Sequence, residues 1–472
     1  MFENIKKSSN YKWYVFASVS IGTFMSTLDG SIVNVALPSI ADEFQADLKL
    51  IQWIPLSYLL IITSCLLFFG KIADTLGKTK VFSWGFIGFM LGSTLCAFSP
   101  NIYILIISRV FQGIGAAMIM ANSSGIIIDV FPPSERGKAL GTVGTIVALG
   151  SMTGPPLGGL LTGMVGWSSI FLINIPIGIF GLLGSIYLLP KEKVNKFKSF
   201  DFLGAFLWAI GIVSLIYGLS LIEELGITTK VITYIAVGVL GLLLFIKIEF
   251  KNNDPLLDLE LFKDPIFTTG NIAGLLSFVA MFFANLFMPF YFQEVKGIEA
   301  NHVGLLMMAF PLSMAFIAPL SGTLSDKFGY RILTTTGMGL MALNLFALSK
   351  ISATSPTPLI VFAFGVFGVC MGLFQSPNNS SVMGVVPKPK LGIAGGILAT
   401  MRNLGMVLGI ALSVTLFSYR QKFYLDLQVQ EKFANALGDT FFFAGFIALI
   451  GLVLSFTRAK ETKKIKVNVK GS

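Results

Sequence analysis

The sequence predicts an all-α, polytopic membrane protein of about fourteen spans, and three observations predict it. Of its 472 residues, 54% are hydrophobic and only 12% charged, about half the charged fraction of a soluble domain. The apolar residues arrive in long blocks such as Val15–Phe24, Trp84–Phe98 and Phe441–Phe456. The basic residues gather in alternate links between those blocks. A segment in hydrocarbon must satisfy its own backbone, so only helices and closed barrels cross it, and a helix needs roughly 20 residues. The short alternating segments of barrel strands are absent.

The first span is expected to begin near Trp13, behind a basic N-terminal stretch holding Lys6, Lys7 and Lys12. It contains Asp29 and shows no convincing cleavage pattern after a short core, so it reads as a retained helix and not a signal peptide. Five further spans begin near Leu50, Lys80, Ile102, Lys138 and Trp167. Two more begin near Phe202 and Val231; a cytoplasmic hairpin there would lower the count to twelve. The last six begin near Ile266, Val303, Arg331, Pro358, Leu391 and Thr440.

Basic residues set the orientation. Lys71, Lys78 and Lys80, then Arg136 and Lys138, then Lys191, Lys193, Lys196 and Lys198 fall in even-numbered links. So do Lys247, Lys251 and Lys263, Lys327 and Arg331, Lys388 and Lys390, while Arg458, Lys460, Lys463, Lys464, Lys466 and Lys470 mark the tail. The positive-inside rule then places both termini in the cytoplasm of a multi-pass cell-membrane protein. The net charge of +10 is thus a topology signal, with a secondary pull toward anionic lipid heads, and a nucleic-acid partner is not expected. Cys65, Cys96 and Cys370 sit in apolar blocks and His302 is the sole histidine, so no metal site, cofactor or catalytic constellation is expected.

The chain repeats itself. Gly70-Lys71-Ile72-Ala73-Asp74-Thr75-Leu76-Gly77 recurs as Gly322-Thr323-Leu324-Ser325-Asp326-Lys327-Phe328-Gly329, each followed by a basic residue, Lys80 or Arg331. The same offset lays the glycine-rich fifth span on the glycine-rich thirteenth. Residues 1–190 and 254–472 therefore read as homologous halves, separated by two inserted helices in 191–253. Parallel repeats are one way secondary transporters are built, and an even insertion preserves the orientation of every later span.

These segments carry a resemblance. Gly70–Lys80 resembles the loop signature of the major facilitator superfamily. Lys138–Gly163, with Gly150, Gly154, Pro155, Pro156, Gly158 and Gly159, resembles the fifth-span signature of that superfamily's exporters. Leu28-Asp29-Gly30-Ser31-Ile32-Val33-Asn34-Val35-Ala36-Leu37-Pro38 resembles the first-span signature of its fourteen-span drug/proton antiporter branch, the EmrB/QacA type. Ser108-Arg109-Val110-Phe111-Gln112-Gly113 resembles the fourth-span signature. The similarity covers essentially the whole chain. It implies the major facilitator fold, two six-helix bundles plus two extra transmembrane helices, and proton-coupled export of amphipathic small molecules or drugs by alternating access.

Asp29 is the expected proton carrier. Intramembrane acids are rare and usually line a pathway or relay protons; the plain alternative is a helix cap or a structural ion pair. The resemblance assigns the fourth-span Arg109 to proton transfer as well, against an alternative role in bonding backbone. Arg402 either faces a cavity beside Asn403 or packs near the inner end of its helix. Met25, Asn34 and Gln112, then Phe283, Asn285 and Tyr291 of span nine, and Gln375, Asn378 and Asn379 of span twelve complete the expected substrate contacts, since aromatic and uncharged polar walls suit varied amphiphiles.

Gly70, Asp74, Gly77, Lys80, Asp326, Gly329 and Arg331, with Arg136, are expected to gate the cytoplasmic side. Their carboxylates would sit in loops and meet a helix N-terminus or an arginine, or form plain solvated turns. Gly154, Pro155 and Gly158 let helices approach closely, either as a sliding surface or as a static one. No Walker-type segment for ATP is present, so a proton gradient is the expected energy source. Spans nine and twelve carry no interior acid, a departure from members that handle dications. That favours neutral, monocationic or zwitterionic cargo and one proton per cycle. A monomer is assumed. A transporter of one metabolite, lipid or peptide stays open, as does a non-transporting sensor or scaffold.

Overall fold

The computed structural model describes residues 10–132, 135–190, 201–252, 255–387 and 390–458. Lys6, Lys7, the run Lys191–Lys198, Lys388 and the tail lysines, on which part of the orientation rests, lie outside the described residues. So does the side chain of Lys138.

The described chain is a set of long helical rods joined by tight turns. In order they are α1 (Tyr11–Phe44), α2 (Leu48–Leu76), α3 (Lys78–Ala97), α4 (Ile102–Val130), α5 (Arg136–Val165) and α6 (Ser169–Leu188). Then come α7 (Phe202–Leu225) and α8 (Thr229–Glu249). The series ends with α9 (Pro265–Phe290, continued by one π-helical turn, Tyr291–Val295), α10 (Ala300–Met307 and Ala309–Phe328), α11 (Tyr330–Leu348), α12 (Thr357–Gly384), α13 (Leu391–Gln421) and α14 (Val429–Thr457).

Thirteen segments among the described residues are long and apolar enough to cross a membrane, one fewer than expected. The difference is α5. It is a 30-residue helix that runs through Pro155 and Pro156, but its many small residues dilute its apolar content. Both inserted helices, α7 and α8, belong to the thirteen. Large apolar side chains on outward faces, such as Leu91 (62% exposed) and Leu240 (58%), would be a liability in water and are at home against lipid.

Side chains fix where several rods begin. Asn101 accepts the N–H of Ile104 at 3.0 Å, Asp201 that of Gly204 at 2.8 Å, and Asp264 those of Ile266 and Phe267 at 2.8 and 3.1 Å. Each satisfies donors that a helix start leaves open.

The repeat is visible in the backbone. Gly77 (φ 95°) ends α2 and Gly329 (φ 85°) ends α10, their N–H groups bonded to Ala73 O and Ser325 O at 2.9 and 2.8 Å. That left-handed conformation favours glycine. The expected loops are therefore shorter than the motif. Asp74 and Asp326 lie in the last turns of α2 and α10, because a single glycine makes the whole turn; the Asp326 side chain lies outside the described residues.

Packing repeats as well. α1 lies along α4, α5 and α6, and α9 along α12, α13 and α14; α4 is flanked by α2 and α3, and α12 by α10 and α11. The halves meet mainly at two seams, α5 on α10 and α2 on α13, with lighter contact of α1 on α9. Helix α7 covers the second. Its Trp208 donates to Thr63 O of α2 at 3.0 Å, and its Leu219 O accepts from Thr415 Oγ1 of α13 at 3.2 Å.

Candidate functional site

The end carrying the Gly77 and Gly329 turns is here called the basic end. At the opposite end the halves are in close contact. A Cβ on Gly159 would stand 2.4 Å from Ala300 O, and one on Gly304 2.4 Å from Pro155 O. Gln293 Nε2, in the π-helical turn, donates to Val35 O of α1 at 3.1 Å. Positions for a Cβ on Gly70, Gly384, Gly395 and Gly396, near the basic ends of their helices, and on Gly30, past the middle of α1, have no neighbour within 4 Å. Toward the basic end contact is ordinary: a Cβ on Gly392 would stand 3.6 Å from Ile128 Cδ1 of α4. The cleft between the halves is thus tight at one end and loose at the other.

Beside this cleft, inside the first half, lies a closed polar cluster. Asp29 is 0% exposed. Its Oδ2 accepts from Arg109 NH1 at 2.6 Å, and its Oδ1 accepts from Gln112 Nε2 at 2.8 Å and Asn174 Nδ2 at 2.9 Å. Arg109 NH1 also reaches Gln112 Oε1 at 2.6 Å, and Arg109 Nε donates to Ile54 O at 3.2 Å. Gln112 Nε2 donates on to Ser93 Oγ at 2.8 Å. The guanidinium carbon lies 4.0 Å from the Tyr58 ring centre and 5.7 Å from that of Phe171, and Tyr58 O–H donates to Ser26 O at 3.2 Å. Spans one, two, three, four and six all contribute.

By sequence, Asp29 is a carboxylate in need of a partner; the partner is Arg109. Helix geometry explains the set, since Arg109 and Gln112 are one turn apart on one face of α4. Asn174, Ser93 and Tyr58 were not expected. A lone asparagine in the apolar run before Pro176 was the available signal for Asn174, because an isolated amide in a span needs a partner.

The other expected contacts divide in two. Some are engaged inside the protein. Met25 is buried near Gly178 of α6, and Phe283 is buried in α9. Tyr291 O–H donates to Ser352 O at 2.8 Å, and Asn378 Nδ2 donates to Gly270 O at 3.2 Å. The rest have open polar groups. Asn34 (2% exposed) has no partner at either amide atom, and Asn403 (2%) none at Nδ2. Asn285, Gln375 and Arg402 are half-buried and Asn379 is exposed. Arg402 carries no hydrogen bond or ion pair among the described residues, and no charged group acts on it.

Arg458 is the residue the sequence placed differently. Read as part of a solvated basic tail, it is 2% exposed at the end of α14. It donates to Asn378 Oδ1, to Ser381 Oγ at 3.2 Å and to Thr269 O at 3.3 Å. Burial without a carboxylate pulls its guanidinium down to about 10, which leaves it charged at neutral pH.

Around the repeated turns, Lys80 Nζ lies 4.8 Å from the Trp84 ring centre and the Arg331 guanidinium 4.8 Å from that of Phe456. Arg136 Nε donates to Phe131 O at 3.1 Å. In α5, Gly150, Gly154 and Gly158 lie flat on α1, where added Cβ atoms would stand 2.2 Å from Thr27 Oγ1, 1.8 Å from Ser31 Oγ and 2.7 Å from Ile32 O.

Comparison with known proteins gives a consistent set. The family model described as Major Facilitator Superfamily matches residues 19–410 and 270–471. The riboflavin transporter RibZ of Clostridioides difficile (strain 630) is 38% identical over 461 residues, 96% of this chain and 99% of its own. The multidrug transporter protein MdtP of Bacillus subtilis (strain 168) is 31% identical over 394 residues, 83% of this chain and 73% of its own. A bacterial homologue of the human lysosomal transporter Spinster, crystallised inward-facing and unoccupied, superposes with a TM-score of 0.68 at 15% identity, covering 95% of this chain and 97% of that one. At that identity the likeness speaks for the fold alone.

Proposed function

The chain belongs to the Major Facilitator Superfamily, and from that premise we propose a proton-coupled exporter that moves a small amphipathic heteroaromatic compound by alternating access, riboflavin being the first candidate. The observation that carries the coupling is the buried Asp29–Arg109 pair, which joins spans one and four beside the cleft, bonds spans two and six directly and reaches span three through Gln112. Taking two charges out of water costs several kcal/mol per ion, so a carboxylate kept there is a strong candidate for work.

In this reading Asp29 takes a proton from outside and gives it up inside. A neutral Asp29 no longer holds the Arg109 guanidinium by charge. Arg109 stays bonded to Gln112 and to Ile54 O, and the spans meeting at the cluster gain freedom to shift. Cargo enters from the basic end, taken here as cytoplasmic on the support of its excess of lysines and arginines. The tight contacts of Gly159 with Ala300 and of Gln293 with Val35 separate when the cleft opens outward. The EmrB/QacA-type branch, a monomer and one proton per cycle complete the proposal.

Riboflavin is favoured by the near end-to-end similarity to a riboflavin transporter. Drug export is the second reading, supported by relatives named as multidrug and resistance proteins. Fold alone does not choose between them.

The deciding experiment is riboflavin flux in sealed proteoliposomes under an imposed pH gradient, wild type against Asp29→Asn. Gradient-driven flux lost in the variant is expected. Equal flux in both moves the coupling away from Asp29. Flux of amphipathic drugs without flux of riboflavin selects the second reading.

A further inference from the structure

The first half neutralises its buried arginine internally; the second half holds one that it does not. Arg402 lies in α13, about 17 Å from Leu391 at 1.5 Å per residue, well inside a candidate span. It has no hydrogen bond or ion pair among the described residues. A guanidinium at membrane depth is costly and stays charged, so it requires a counter-charge, carbonyls or water.

Its direction is set by the glycines on its own helix. Gly395, one heptad earlier and so on nearly the same face, looks into open space, as does its neighbour Gly396. Gly392, on the stripe that Gly396 and Asn403 continue, faces Ile128 of the first half. Gly409, one heptad after Arg402, packs on Val279 and Phe282 of α9, so Arg402 lies at the border between that contact and the open side at Gly395, with Asn403 on the stripe turned toward α4. Asn403 is 2% exposed and its Nδ2 donor has no acceptor.

A planar fork of N–H donors beside a spare amide N–H, with no carboxylate acting on it, has the chemistry of an oxyanion receptor. We propose that Arg402 and Asn403 form an anion-binding subsite in the cleft that receives an acidic group of the cargo, a carboxylate or a phosphate monoester. This rests on the transporter reading and sharpens it: the cargo is an acidic or acceptor-rich amphiphile, and cationic amphiphiles are excluded. An anionic lipid headgroup has the same chemistry and is the competing source.

The test is equilibrium binding to the full-length protein in phosphatidylcholine nanodiscs, with no gradient, so that a failure of coupling at Asp29 leaves it intact. The probes are riboflavin, riboflavin 5′-phosphate, 1-naphthoate (an anion without the flavin skeleton) and tetraphenylphosphonium. Riboflavin 5′-phosphate is expected to bind about ten-fold tighter than riboflavin, as a charge-assisted bidentate contact allows. Arg402→Gln should erase that ratio and 1-naphthoate binding, while Arg402→Lys keeps part of both. The melting temperature of each Arg402 variant reports that its fold is intact. The proposal is overturned if neither anion binds, if Arg402→Gln preserves the ratio, or if tetraphenylphosphonium displaces the anions from wild type. It is also overturned, in favour of the lipid, if phosphatidylglycerol in the nanodiscs abolishes the anion preference.

Discussion

Arg109 and Arg402 sit inside corresponding halves of one repeated architecture, yet they are treated in opposite ways. Arg109 is enclosed, with Asp29 at 2.6 Å, Gln112 at 2.6 Å and the Tyr58 ring against its face. Arg402 is half-buried and touches no acceptor among the described residues. The pattern of helix packing recurs between the halves; the charges do not. A pair closed on itself can change only by gaining or losing a proton, whereas an open charge can change by binding something. The halves divide energy coupling and cargo recognition between them in the function proposed above.

The sharpest way to break this comparison is to remove each arginine in turn. Arg109→Leu leaves Asp29 buried without its counter-charge, and losing one partner of a buried pair costs about 3–5 kcal/mol. Arg402→Leu removes a charge that the protein does not satisfy, so stability is expected to hold or rise. Unfolding driven by denaturant or heat in one detergent checks both. Comparable losses in the two variants would mean that Arg402 is satisfied within the fold and is not an open site.

The two seams between halves give a second, smaller contrast. At α5–α10 the helices touch through glycine, and at α2–α13 they are bridged by Trp208 and Thr415 through α7. Gly159→Val inserts atoms where a Cβ alone would be 2.4 Å from Ala300 O. Overpacking of this kind costs about 1–3 kcal/mol and should force that end of the cleft apart. A cysteine placed at Gln293 in a cysteine-free background would then react faster with a membrane-impermeant maleimide. Trp208→Phe forfeits one hydrogen bond, about 1 kcal/mol, and should leave that reactivity unchanged. An equal response in both variants would show that the seams move as one.

How much of this was legible beforehand depends on the kind of residue. The repeated glycines at Gly77 and Gly329 announced their turns, because few other residues take that conformation. The span boundaries came from hydropathy, with α5 the exception, since glycine and proline serve close packing at the expense of apolar content. Asp29 and Arg109 were each conspicuous as charges in apolar runs. That they meet each other is a fact of tertiary packing, since they come from different helices. Arg458 misled because a basic residue at a span end looks the same in sequence whether it extends into water or folds back. Here it folds back onto Asn378 and Ser381, and so engages an asparagine that had been expected to face cargo.

The smallest effect tests whether distance or burial decides the worth of an ion pair. Lys78 Nζ and Asp129 Oδ2 are 2.6 Å apart, the same separation as Arg109 and Asp29, but their side chains are 25% and 44% exposed. Water competes for both groups and salt screens them, so such a pair is worth about 0–1 kcal/mol. Lys78→Met should therefore shift the unfolding midpoint little, and less at high ionic strength. Arg109→Leu should stay severe at any salt, because the cluster around Asp29 admits no counter-ion. If Lys78→Met proved as costly as Arg109→Leu, the link between α3 and α4 at the basic end would be a structural lock in its own right. The contrast drawn between the halves would then have to include the turns that join their helices.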